Sequence, residues 1–241
     1  MSLKPHPTND PLVGSPTGMQ VAPLSDPRPI DVASWARRSH FEHYLTQSPC
    51  TYALTAELDV TRLNRRIKET GAKTSAAHIW ALTTVINRHD EFRITLTEQG
   101  HPAVWPDLHA AFTIFNPDSE TFSSVWTPHH ADFSCFQQGM IETAGRYQHA
   151  TTLFPQSDMP PNTFDVSSMP WTSFTGFTLQ IEGGYRRLLP IITIGQSVER
   201  PDGLRLPMAI QLHHATADGF HASRLINEVQ ALFDDPTWLE A

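Results

Sequence analysis

The stretch "RLPMAIQLHHATADGFH" (205–221) places two adjacent histidines three small residues ahead of an Asp-Gly pair. A neutral imidazole takes a proton from a hydroxyl or thiol near neutral pH, because its unperturbed pKa is about 6.5. The segment therefore suits general-base chemistry, with one histidine as the base. Met208, Ile210 and Leu212 share one face of a strand, and the period of two puts His214 on that side and His213 on the other, with Ala209 and Gln211. Parity favours His214 as the inward residue. Periodicity alone also allows His214 to be a hydrogen-bonded core histidine, and Asp218 to be the N-cap of the final helix. His213, His214, Asp218 and His221 crowd together, and His129 and His130 form a second pair. Adjacent strand histidines point opposite ways, so at most one of each pair can hold the same ion, and no metal is expected.

The elements that must position these residues follow from the surrounding pattern. Ala222, Leu225, Ile226, Val229, Leu232 and Phe233 give a helix over about 220–233 an apolar stripe. Upstream, 31–45 reads as a helix, 51–58 as a strand, and Asp59 as the cap of a helix carrying Val60, Leu63 and Ile67. A second helix is predicted over 74–89 and a third near 134–149. Strands are predicted at 92–97, 110–116, 121–126, 174–182, 189–195 and 205–213. Strands and helices without strict alternation predict an α/β two-layer sandwich, a mixed β-sheet packed against helices. Residues 1–30, rich in Pro, Gly and Ser, predict a flexible N-terminal extension, and 31–241 a single domain.

Composition bounds the partners. Charged residues make up 17% of the 241 and the formal net charge is -8, so no nucleic acid is expected, since phosphate binding needs a positive surface. No apolar run approaches the roughly 20 residues that cross a bilayer, and a cytoplasmic, membrane-free protein is expected. Cys50 and Cys135 form no CxxC pair and read as two reduced thiols.

"QLHHATADGFHASRLINEVQ" carries an HHxxxDGFH pattern, and "WARRSHFEHY", "SPCTY", "FTIF", "ETFS", "LFPQ", "SSMPWTSF" and "LLPIIT" precede it in order. This set resembles the chloramphenicol acetyltransferase family, over about 31–234. The resemblance implies the CoA-dependent acyltransferase fold and an acetyl-CoA-dependent O-acetyltransferase that confers antibiotic resistance by acetylating chloramphenicol, with no covalent acyl-enzyme. His214 then matches the general base, Ser167 the oxyanion donor and Thr193 a residue that binds the intermediate. Asp218 matches an aspartate that pairs with Arg37, or failing that Arg38, and supports the base.

The same resemblance implies an acceptor pocket lined by Tyr44, Cys50, Tyr52, Thr113, Phe122, Phe177 and Leu179, and weaker contacts of Trp171 and Lys73 with CoA. It implies a homotrimer with active sites at subunit interfaces. Tyr52 stands where phenylalanine is expected and Asp165 where a neutral residue is usual. Three rivals remain: a same-fold acyltransferase acting on another alcohol or amine in biosynthesis, a dihydrolipoyl acyltransferase core, and a silent protein that sequesters a small drug. The complete set of His214, Ser167, Thr193 and Asp218 argues against sequestration, which needs none of them.

Overall fold

A computed structural model describes residues 25–181 and 187–240. In chain order it has β1 (Arg28–Pro29), α1 (Arg38–Glu42), β2 (Thr51–Asp59), α2 (Thr61–Thr70), α3 (Thr74–Asn87), β3 (Ile94–Leu96), β4 (Pro102–Val104) and β5 (His109–Asn116). There follow β6 (Thr121–Thr127), α4 (Phe133–Tyr147), β7 (Thr163–Met169), β8 (Ile191–Gly195), β9 (Val198–Arg200), β10 (Gly203–His213) and α5 (Gly219–Asp234).

The main sheet has the order β2-β10-β8-β7-β5-β6, with β9 beside β10, and it is mixed: β7 runs parallel to both β5 and β8. A small sheet, β1-β4-β3, stands apart. One face of the main sheet packs on α3 and α5, through Phe112, Val166, Ile192, Met208, Ile210 and Leu212. On the helix side Ala222, Leu225, Val229 and Phe233 are at most 1% exposed. Fully burying side chains such as Leu225 and Phe233 stabilises the layer by about 1.5–3 kcal/mol each. The two-layer α/β sandwich read from the sequence is the architecture observed.

Several elements depart from the sequence reading. The 31–45 helix is broken into turns, α1 and a π-helical turn over His43–Gln47. Asp59 does not occupy the cap position, which is Val60, yet its Oδ1 accepts from Thr61 N at 2.9 Å and so serves the same end. The described part of the predicted strand at 174–182 forms no ladder; residues 177–179 are tied to the sheet by side chains of β2 and β10. Gly195 permits that approach, because a Cβ there would come within 2.7 Å of Phe174. The N-terminal extension lies outside the described residues up to 24, but its end is part of the fold, with Arg28 and Pro29 paired to β4.

Candidate active site

Strand β10 ends at His213 and the chain turns at once. Thr216 N and Ala217 N both donate to the His213 carbonyl, at 3.0 and 3.1 Å, and the His213 Nδ1 accepts from Ala215 N at 3.1 Å. Ala215 and Ala217 are fully buried, one in each of the two apolar clusters, so the spacer must be small. His213 is fully buried too. Parity correctly separates the two histidines, but the more enclosed of them is His213, because the far face of β10 is covered rather than open to water.

His214 leaves the strand end on the side of Tyr52, which pairs with Leu212 across β2 and β10. Its ring stacks on Tyr44 at 3.9 Å and 9°, and meets the edge of Tyr52 at 5.4 Å. Its N–H donates to the Cys50 carbonyl at 3.1 Å. The ring Nδ1 is enclosed, without a hydrogen bond among the described residues. Burial and the Asp218 charge push the Tyr52 phenol up to about 12, so it stays protonated at any physiological pH.

Arg37 closes the turn from below. Its Nε donates to the Ala215 carbonyl, its Nη2 to the His214 carbonyl and its Nη1 to Asp218 Oδ2, each at 2.9 Å. Arg38 pairs with Glu42 instead. The other carboxylate oxygen of Asp218 accepts from Phe220 N at 3.1 Å and caps α5, with His221 Nδ1 at 2.9 Å. The two readings of Asp218, cap and brace, therefore coexist on separate oxygens. Burial would raise this carboxyl, but the Arg37 and His221 contacts outweigh it and hold the pKa at about 2. These contacts engage both oxygens of Asp218, and the His213 Nδ1 accepts from Ala215 N, so the residues that crowd together in the sequence form a hydrogen-bonded turn.

Ser167 and Thr193 lie on the opposite face of the sheet. Ser167 registers with Thr193, Thr193 with Ala209 and Ala209 with Thr55, so the four form one row pointing away from the helices. Ser167 is on β7, a strand absent from the sequence reading. Among the described residues neither hydroxyl has a hydrogen-bonded partner.

The segment over this row is held by Thr55 Oγ1, which accepts from Phe177 N at 3.3 Å, and by Gln211 Oε1, which accepts from Leu179 N at 3.0 Å. Phe177, Leu179, Thr193 and Gln211 line one small crevice. Thr55 and Gln211 escaped the sequence reading as site residues; Gln211, a polar side chain within the otherwise apolar run of β10, is the one signal that could have marked this face. Thr113, one residue past the Phe112–Val166 pair, shares this face, and Phe122 lies farther out on β6 opposite Phe115.

The predicted site residues thus fall into two groups. Tyr44, Cys50, Tyr52, His214, Asp218 and Arg37 meet at one end of the sheet, whereas Ser167, Thr193, Thr113, Phe177 and Leu179 share the far face with Phe122. Trp171 is 64% exposed and packs edge-on against Phe115 at 4.8 Å. Lys73 sits at the start of α3, its N–H donating to Gln137 Oε1, and no contact among the described residues joins it to Trp171. Cys50 and Cys135 are free thiols. Among the described residues no helix is long and apolar enough to cross a membrane.

A sequence model of the family described as chloramphenicol acetyltransferase matches residues 27–230. The chain belongs to the chloramphenicol acetyltransferase family. Its relatives of that name include one from Streptomyces acrimycini, 51% identical, with 90% of this chain and 99% of the relative covered. Another, from Clostridium perfringens, is 41% identical over 87% of this chain and 96% of its own. Among solved structures, a chloramphenicol acetyltransferase aligns with a TM-score of 0.75 at 21% identity, covering 86% of this chain and all of that one. The truncated catalytic core of a 2-oxoacid dehydrogenase multienzyme complex from Thermoplasma acidophilum aligns at 0.64 and 15%, covering 84% and 96%. These two likenesses, both under 25% identical, concern the fold alone.

Proposed function

We propose that this chain transfers acetyl from acetyl-CoA to a hydroxyl of chloramphenicol, with His214 as general base and no acyl-enzyme. The observation that carries the reading is the Arg37 clamp, which holds the carbonyls of His214 and Ala215 and the Asp218 carboxylate at once. A base must keep its lone pair aimed at one point, and a guanidinium with three bonds into the five-residue turn 214–218 supplies that rigidity. Because Nδ1 is enclosed, Nε2 is the nitrogen that meets the acceptor. It takes the hydroxyl proton as the oxygen attacks the thioester carbonyl. When the tetrahedral intermediate collapses, the C–S bond breaks and the same proton passes to the CoA sulfur. Ser167 donates to the oxygen that carries the developing charge and Thr193 assists beside it; one such donor contributes about 3 kcal/mol in other acyl-transfer enzymes.

His214 and Ser167 belong to opposite faces of one sheet, so a single copy does not bring them to one acceptor. This calls for more than one copy, with the His214 end of one subunit meeting the Ser167 face of its neighbour, and the homotrimer implied by the family resemblance is the assembly we assign. The exposed Phe115, Phe122, Trp171 and Leu179 on or beside that face supply the apolar surface such an interface buries. Trp171, and more weakly Lys73, serve CoA as cosubstrate. Supply of acetyl-CoA and two free thiols fit a cytoplasmic setting.

The direct test is to incubate the protein with acetyl-CoA and chloramphenicol, follow thiol release and weigh the product. An O-acetylated product is expected. Thiol release only with other alcohols or amines would transfer the chain to the biosynthetic acyltransferases.

A further inference from the structure

Asp165 and Ser167 alternate along β7 and so share the sheet face that carries Thr193. Two residues of strand put them roughly 7 Å apart. Asp165 is half-buried and registers with Ile191, next to Leu189, and burial pushes its carboxyl up while Arg187 pulls it down. Arg187 Nη2 is bonded to Asp165 Oδ2, and Arg187 also lines a small cavity of about 20 Å³ with Ile181, Leu189, Ile191 and Gln211. A carboxylate at this distance from a site where negative charge develops opposes the transition state more than the ground state. In surroundings of intermediate dielectric that opposition slows the reaction on the order of tenfold to fiftyfold.

We propose that Arg187 is a charge-compensating residue of the acyl-transfer site: by pairing with Asp165 it keeps that carboxylate from opposing the oxyanion held at Ser167. The inference rests on the reading of Ser167 as the oxyanion donor. It concerns a residue that touches neither acceptor nor thioester and acts through Asp165, so Arg187 is a positioning residue in electrostatic terms.

The two single variants separate compensation from scaffolding. Arg187→Ala, which strands the carboxylate, lowers kcat at least tenfold with KM for chloramphenicol within about twofold. Asp165→Asn, which removes the opposing charge, leaves kcat at or above the wild-type value, and adding it to Arg187→Ala restores most of the lost rate. Arg187→Lys stays within about threefold of wild type. A pair that merely holds the chain would show the reverse: both single variants slow, and the double variant no better than Arg187→Ala. That result, or an Arg187→Ala enzyme of unchanged kcat, overturns the proposal. Ser167→Ala is assayed alongside. If it keeps full activity, the oxyanion reading falls and the proposal with it; if it is slow while Arg187→Ala is not, only the compensation falls.

Discussion

His214 and Ser167 occupy opposite faces of one sheet and are held in opposite ways. The histidine end is a polar knot in which Arg37, Asp218, His221 and the carbonyls of the turn satisfy one another within a few ångströms. The serine face gives its hydroxyls no such support: Ser167 and Thr193 are fixed by strand register alone, and neither hydroxyl has a partner among the described residues. A base must be aimed and so carries its own support. An oxyanion donor must be free to bond something that exists only during the reaction, so its support is the backbone.

The largest effect expected from breaking the comparison is at the knot's product, the base itself. His214→Ala removes nearly all acetyl transfer while melting temperature and oligomeric state hold, and substantial remaining turnover contradicts the assignment. Ser167→Ala lowers kcat on the order of a hundredfold, as the loss of one oxyanion donor does, with little change in stability because the hydroxyl makes no bond. Asp218→Asn strikes the knot from the other side. It weakens the Arg37 bond and the α5 cap together, so it costs about 2 kcal/mol, several degrees of melting temperature, and lowers activity as well. Equal melting curves and rates for that variant and wild type argue that the clamp is ornamental.

The smallest effect concerns pH. Burial holds His78 and His129 near pKa 4, below the ordinary 6.5. A depressed pKa of a histidine means that the unfolded chain binds the proton more readily. Stability from this source is therefore complete above about 6.5 and declines as pH falls toward 4, by up to about 1.4 kcal/mol per unit for each histidine. The Asp218 contribution persists lower, declining only between about 4 and 2. Urea midpoints measured from pH 7 to 4.5 test this, and His78→Phe should flatten the slope; an unchanged slope removes His78 from the account.

The same contrast governs what the sequence discloses. The knot is built from neighbours in the chain, so its motif, the parity of His214 and the apolar stripe of α5 are all legible, and only Arg37 comes from far away. Around the serine face, local pattern misleads. The segment "TFDVSSM" carries no strand prediction, because its apolar alternation is short and its partners across the sheet, on β5 and β8, lie far off in sequence. The 174–182 segment has strand composition, yet Thr55 and Gln211 bind its backbone in place of a ladder. His213 is likewise misjudged by degree, since alternation distinguishes two faces but cannot say that both are covered.

The claim that joins the two regions is that His214 of one copy works with Ser167 of another. Mixing and co-refolding equal amounts of the His214→Ala and Ser167→Ala proteins tests it most directly. Random assembly then pairs an intact histidine with an intact serine at about a quarter of the interfaces, and about a quarter of wild-type activity should return. Activity no higher than that of either variant alone would place both residues in one subunit's site and contradict the account.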